Sequence, residues 1–121
     1  MTLSIAAITL DCANAANLGA FWSAVFDRPL DAEPAPNQFF ASIGRGSGAP
    51  TGAPTMMFIA VPEAKSVKNR MHLDLQADDR EAEVARLVGL GATVVHDKDE
   101  WGTRWTTLTD PEGNEFCVAT H

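Results

Sequence analysis

The stretch Met71-His72-Leu73-Asp74-Leu75-Gln76-Ala77-Asp78-Asp79-Arg80-Glu81 decides the fold, because it opens the second copy of one plan. Leu73 and Leu75 alternate with His72 and Asp74, the period of a half-buried strand. Asp78 with Glu81 three residues later has the pattern of a capping box, and Val84, Leu87 and Val88 supply the packed face of the helix it starts. Gly91 ends that helix in the left-handed position. Three stretches of strand composition follow, Thr93–His96, Trp105–Thr109 and Glu115–Thr120. The turn Asp110-Pro111-Glu112-Gly113-Asn114 joins the last two.

Toward the N-terminus the same order is present. Thr2–Ala13 suits a strand, and Asn14 offers a side-chain oxygen to cap a helix with Leu18, Phe21, Trp22 and Val25 on one face. Asp31–Pro54 is rich in Pro, Gly and Ala, with a strand-like island at Gln38–Ile43, and predicts a weak hairpin with a mobile tip at 44–52. Thr55–Val61 is again strand-like, and the charged connector Pro62–Arg70 marks a seam. His72-Leu73-Asp74 stands 63 residues after Thr9-Leu10-Asp11, and the same offset lays Val84 on Phe21 and Val88 on Val25. Each half therefore reads as strand, helix and up to three strands. Strand alternation points Leu10, Cys12, Leu73 and Leu75 at the helices and leaves Thr9, Asp11, His72 and Asp74 on the opposite face, a polar surface suited to a site.

Composition excludes several classes of function. With 121 residues, 45% of them hydrophobic, the chain is sized for one globular domain. A formal charge of -7 repels a phosphate backbone, so no nucleic-acid partner is expected. The run Met1–Leu10 lacks a basic flank and a spanning length, so neither a membrane span nor a targeting signal is expected. Cys12 and Cys117 build no disulfide framework, which points to reduced thiols in a cytoplasm. Gly44-Arg45-Gly46-Ser47-Gly48 lacks the Lys-Ser/Thr ending of a phosphate loop and reads as a flexible loop.

The segments ITLDCANAANLGAFW (8–22), KNRMHLDLQADDREAEVARLVGLGA (68–92) and WTTLTDPEGNEFCVAT (105–120) together resemble the vicinal oxygen chelate superfamily, which includes glyoxalase I, bleomycin-resistance proteins and extradiol dioxygenases. The paired LDC and HLDL strands and the DPEGN turn are most similar to its small bacterial glyoxalase-like members. The resemblance implies an α+β fold in one domain, 1–121, of two βαβββ modules, about 1–62 and 70–121, whose curved mixed sheet encloses a pocket. It further implies a small-molecule ligand and a homodimer.

Metal-dependent members place His, Gln or Glu on the first and last strands of each module. His72 stands at such a position, but the last-strand Glu, due four residues after the turn glycine Gly113, is replaced by Cys117. Glu115 shares that face two residues earlier, while Ala7, Ile8, Thr9 and the stretch 56–60 supply no carboxylate or imidazole. The expected cofactor state is therefore a decayed metal site. The alternative is a divalent ion (Zn, Ni or Fe) held by His72 and Glu115, or Cys117, with water.

Candidate catalytic residues are His72, Asp11, Asp74 and Cys117. Asp11 and Asp74 form either an acid/base pair or two structurally bonded carboxylates. Cys117 is either a nucleophile or a small buried apolar residue. Phe58, Trp101 and Trp105 make either an aromatic ligand wall or core and dimer packing, and Trp22 belongs to the core. Lys65, Lys68, Arg70 and Arg45 form an edge that attracts an anion or is simply solvated. The resulting expectation is a protein that binds or transforms a small organic molecule without the usual metal. A metal-dependent lyase or dioxygenase and a non-catalytic, resistance-type binding protein stand as the alternatives.

Overall fold

A computed structural model of the chain describes residues 2–45 and 54–120. The elements are β1 (Ala7–Cys12), α1 (Ala15–Phe26), β2 (Phe40–Ile43), β3 (Thr55–Ala60), β4 (Leu73–Gln76), α2 (Arg80–Leu90), β5 (Thr93–Glu100), β6 (Thr103–Thr109) and β7 (Glu115–Ala119). The chain divides into two compact units, Met1–Ala64 and Lys65–His121, each an α+β arrangement of one helix on one mixed sheet. Among the described residues, no helix is long and apolar enough to cross a membrane.

In the first unit β1 runs parallel to β3 and β2 antiparallel to it, in the order β1-β3-β2. Helix α1 starts where the Asn14 side chain accepts the Asn17 N–H at 3.0 Å, and it ends at Asp27 in the left-handed region. Its buried face is Leu18, Gly19, Phe21, Trp22 and Val25. A Cβ on Gly19 would lie 3.1 Å from the Ala41 Cβ and 3.3 Å from the Phe58 ring, so glycine lets the helix press onto the sheet.

Two strands follow this helix among the described residues, where a full βαβββ module needs three. Pro29, Pro34 and Pro36 remove ladder donors from the intervening stretch, which meets β2 through the Asp31 N–H on the Ser42 carbonyl at 2.8 Å. The Asp31 carboxylate extends that contact, accepting the Ser42 hydroxyl at 2.7 Å and the N–H groups of Gly44 (3.2 Å) and Arg45 (2.9 Å). Gly44 and Arg45, expected in a mobile tip, are thus held by Asp31, and the rest of that tip, with Gly46, Ser47 and Gly48, lies outside the described residues.

In the second unit the order is β4-β7-β6-β5, with β4 parallel to β7 and the other neighbours antiparallel. Helix α2 is capped by Asp79, whose side chain accepts the Ala82 N–H at 3.0 Å. The cap is therefore one residue later than the Asp78-Glu81 pattern implies. Strand β5 runs four residues beyond the expected His96, through Asp97, Lys98, Asp99 and Glu100. All eight of its residues are exposed, and the charges blunt a sheet edge that would otherwise pair with another strand. Trp101 and Gly102, with φ of 52° and 75°, make the tight turn into β6.

The turn before β7 is organised by the buried Asp110. Its Oδ1 accepts the N–H groups of Glu112 (2.9 Å) and Asn114 (3.0 Å), and Gly113 takes a φ of 91°. This Asx-type network delivers Glu115 and Cys117 to one face of β7.

Candidate functional site

Strand alternation in the second unit sets the site. On β4 the apolar Leu73 and Leu75 are half-buried while Asp74 is exposed, and His72, just ahead of the strand, shares the Asp74 side. On β6 the same rule places Thr103, Trp105 and Thr107 together, and on β7 Glu115 and Cys117. These residues line a groove of about 620 Å³, joined by Lys68, Val95, His96 and Trp101.

Within the groove the side-chain donor atoms of His72, Asp74 and Cys117 all lie within 4.8 Å of one another. Asp74 and Cys117 are direct partners in the parallel β4/β7 ladder. His72 Nδ1 is 3.4 Å from Asp74 Oδ1. Cys117 is 9% exposed, and its Sγ is 3.3 Å from the Thr107 hydroxyl. Burial pushes the Cys117 thiol above its ordinary value, and the Asp74 charge adds to the rise against the opposing Thr107 bond. A thiol held neutral in this way is a poor free nucleophile.

Glu115 lines the groove with its carboxylate engaged: Oε2 accepts the Asn69 N–H at 2.8 Å and Oε1 is 3.5 Å from Lys65 Nζ. Burial alone would raise its pKa, but the Asn69 bond and the Lys65 charge outweigh it and hold the group below its ordinary value. Glu115, expected beside His72 as a metal donor, thus has structural partners, and Asp74 stands in the donor cluster. Lys65 is likewise committed to this ion pair, while Lys68 reaches the groove.

Another part of the groove wall is aromatic. Trp101 and Trp105 stack with ring centroids 5.9 Å apart and planes 10° apart, and Trp101 is 88% exposed. Phe58, the third residue expected on an aromatic wall, corrects that expectation. It is fully buried beneath α1 because Met56 and Phe58 face the helix, leaving Met57 on the other side of β3. Asp11 lies exposed on β1 of the first unit, opposite Ile59 in the ladder.

Sequence reasoning missed Thr107 and His96. Thr107 was open to inference, since it lies two residues after Trp105 on a strand. His96 was not, because a bulge between Val94 and His96 breaks the alternation of β5 and brings both Val95 and His96 to the groove.

The chain matches the family described as glyoxalase-like domain over residues 7–119, a span that runs through both units. It belongs to that family. Among curated proteins, none matches it in sequence. Solved structures agree on the fold of the glyoxalase-like chain. A glyoxalase/bleomycin resistance protein/dioxygenase family enzyme from Burkholderia phytofirmans superposes with a TM-score of 0.74 at 19% identity, covering 98% of each chain. Lactoylglutathione lyase from Agrobacterium tumefaciens gives 0.65 at 16% identity, covering 99% of this chain and 95% of its own. The E126Q mutant of the fosfomycin resistance protein FosX from Listeria monocytogenes, complexed with Mn(II) and 1S,2S-dihydroxypropylphosphonic acid, gives 0.73 at 12% identity, covering 98% and 90%. These likenesses show a shared fold, and the family match agrees with the vicinal oxygen chelate resemblance that the chain's motifs carry.

His72, Asp74 and Cys117 offer an imidazole nitrogen, a carboxylate oxygen and a sulfur within 4.8 Å of one another, donor types that fit a divalent ion, and the open groove would leave a further position for water or a ligand oxygen.

Proposed function

We propose that the glyoxalase-like chain binds, and acts on, a small organic molecule with a flat unsaturated portion and an oxygen-bearing end. The observation that carries this reading is that the stacked Trp101/Trp105 pair and the His72/Asp74/Cys117 cluster line one groove. The indoles supply a face for stacking, worth roughly 0.5–1.5 kcal/mol beyond area burial. His72, with Asp74 beside it, is placed to exchange a proton with a ligand hydroxyl. Thr107 keeps the Cys117 sulfur against the groove floor and away from solvent.

A metal-dependent lyase or dioxygenase is the second reading, and the three-donor cluster favours it. There His72, Asp74 and Cys117 would hold the ion. Its contribution when bound is Lewis-acid polarisation of the ligand oxygen. The chain's own residues would still stack, orient and exchange protons as above. A homodimer working in a cytoplasm completes the proposal.

Titration with catechol, and separately with the hemithioacetal of methylglyoxal and glutathione, tests both readings through Trp fluorescence and turnover. Saturable quenching that disappears in Trp101→Ala supports the groove. Turnover lost with chelator selects the metal-dependent enzyme, and turnover that survives chelator selects the metal-free one. Saturable binding without turnover would make the chain a binding protein. Quenching unaffected by Trp101→Ala and Trp105→Ala would remove the groove from consideration.

A further inference from the structure

Three unlike donor atoms meet in the groove, and the backbone holds their spacing. Asp74 and Cys117 face each other across the β4/β7 ladder, and His72 lies two residues before Asp74 on its side of the chain. Thr107 fixes the sulfur from the neighbouring strand at 3.3 Å.

We propose that His72, Asp74 and Cys117 form a site for a thiophilic divalent cation, Zn(II) in the first instance, and not for an oxygen-preferring ion such as the Mn(II) of the FosX structure. Ligand softness is the reason. Thiolate and imidazole suit Zn(II), whereas Mn(II) is best matched by carboxylates and water. The 3.4 Å between His72 Nδ1 and Asp74 Oδ1 already equals the edge of a tetrahedron with metal–donor bonds of about 2.1 Å. The three donor atoms, now within 4.8 Å of one another, must close by roughly 1 Å, and Asp74 on the edge strand β4 and His72 just ahead of it are both exposed, where such a shift is small. Coordination replaces the Cys117 S–H bond with a sulfur–metal bond, the proton passes to buffer, and no electrons are transferred.

The inference deepens the reading of this groove, yet the two fail separately. Stacking is read by fluorescence of metal-free protein, and the metal is read by absorption without any organic ligand. Chelator-treated full-length protein titrated with Co(II) is expected to develop a near-ultraviolet thiolate-to-cobalt charge-transfer band that Zn(II) abolishes by displacement. Cys117→Ser removes the band, and Cys12→Ser keeps it. Cys117→Glu lowers the preference for Zn(II) over Mn(II) by at least about tenfold. The exposed Asp74→Asn, which leaves the fold undisturbed, weakens Co(II) binding by at least about tenfold. Absence of the band in folded protein, a band that survives Cys117→Ser, an unchanged Zn(II)/Mn(II) ratio in folded Cys117→Glu, or unaltered Co(II) affinity in Asp74→Asn would each overturn the proposal.

Discussion

Cys117 lies directly opposite Asp74 in the parallel β4/β7 ladder, so a thiol and a carboxylate share one rung of the sheet. Burial raises the thiol's pKa, and the neighbouring negative charge raises it further by disfavouring the thiolate.

Removing that charge is expected to favour the thiolate. In chelator-treated protein, Asp74→Asn should accelerate iodoacetamide modification of Cys117 near pH 8, followed by peptide mass spectrometry, while Cys12 serves as the internal reference. An unchanged rate ratio between the two cysteines would mean that Asp74 does not govern the thiol.

Trp101 holds a left-handed φ of 52°, a region that a bulky residue occupies at a cost and that asparagine tolerates better. Trp101→Asn is therefore expected to preserve or raise the urea midpoint while weakening binding of a flat ligand about tenfold, the worth of one aromatic stacking partner. A midpoint that falls with binding unchanged would reverse this assignment.

The cap of α2 separates two adjacent acids. Asp79→Ala should destabilise the protein by about 1 kcal/mol because the Ala82 N–H loses its acceptor, whereas Asp78→Ala should fall within about 0.5 kcal/mol of wild type. Equilibrium urea unfolding measures both.

Asp31 ties the stretch before β2 to Ser42, Gly44 and Arg45. Burial opposes its ionisation, but the Arg45, Ser42 and Gly44 hydrogen bonds and the charge of Arg28 prevail, so its pKa in the folded chain lies below the ordinary 3.8. The stabilisation is present above the unfolded value and is lost as pH falls through the lower folded value. Asp31→Asn should lower stability at pH 7 and flatten the decline below pH 4, as read from urea midpoints across pH.

Phe58 is fully buried against α1, so Phe58→Ala should cost roughly 3–5 kcal/mol as a core cavity, and Phe58→Leu about 1–2 kcal/mol. Thermal and chemical unfolding distinguish this from the near-neutral stability effect expected of an accessible wall residue.

Local chemistry made much of this architecture legible without coordinates. The Asn14 cap, the Leu18/Phe21/Trp22/Val25 face, the alternation of His72-Leu73-Asp74-Leu75 and the Asp110–Asn114 turn all act over a few residues, where side-chain period and backbone preference suffice. The family resemblance carried by those segments was equally a property of the chain.

Tertiary structure decided whatever depends on which strand lies beside which. Ladder register put Asp74 against Cys117 and made a carboxylate the companion of the thiol, while Lys65 and Asn69 claimed Glu115. The β5 bulge turned His96 toward the groove, and the pressure of α1 on β3 took Phe58 into the core. Hydrophobic alternation assigns a residue to a face. The identity of its cross-strand neighbour is settled by hydrogen-bond register between segments far apart in sequence, and a single inserted residue changes it.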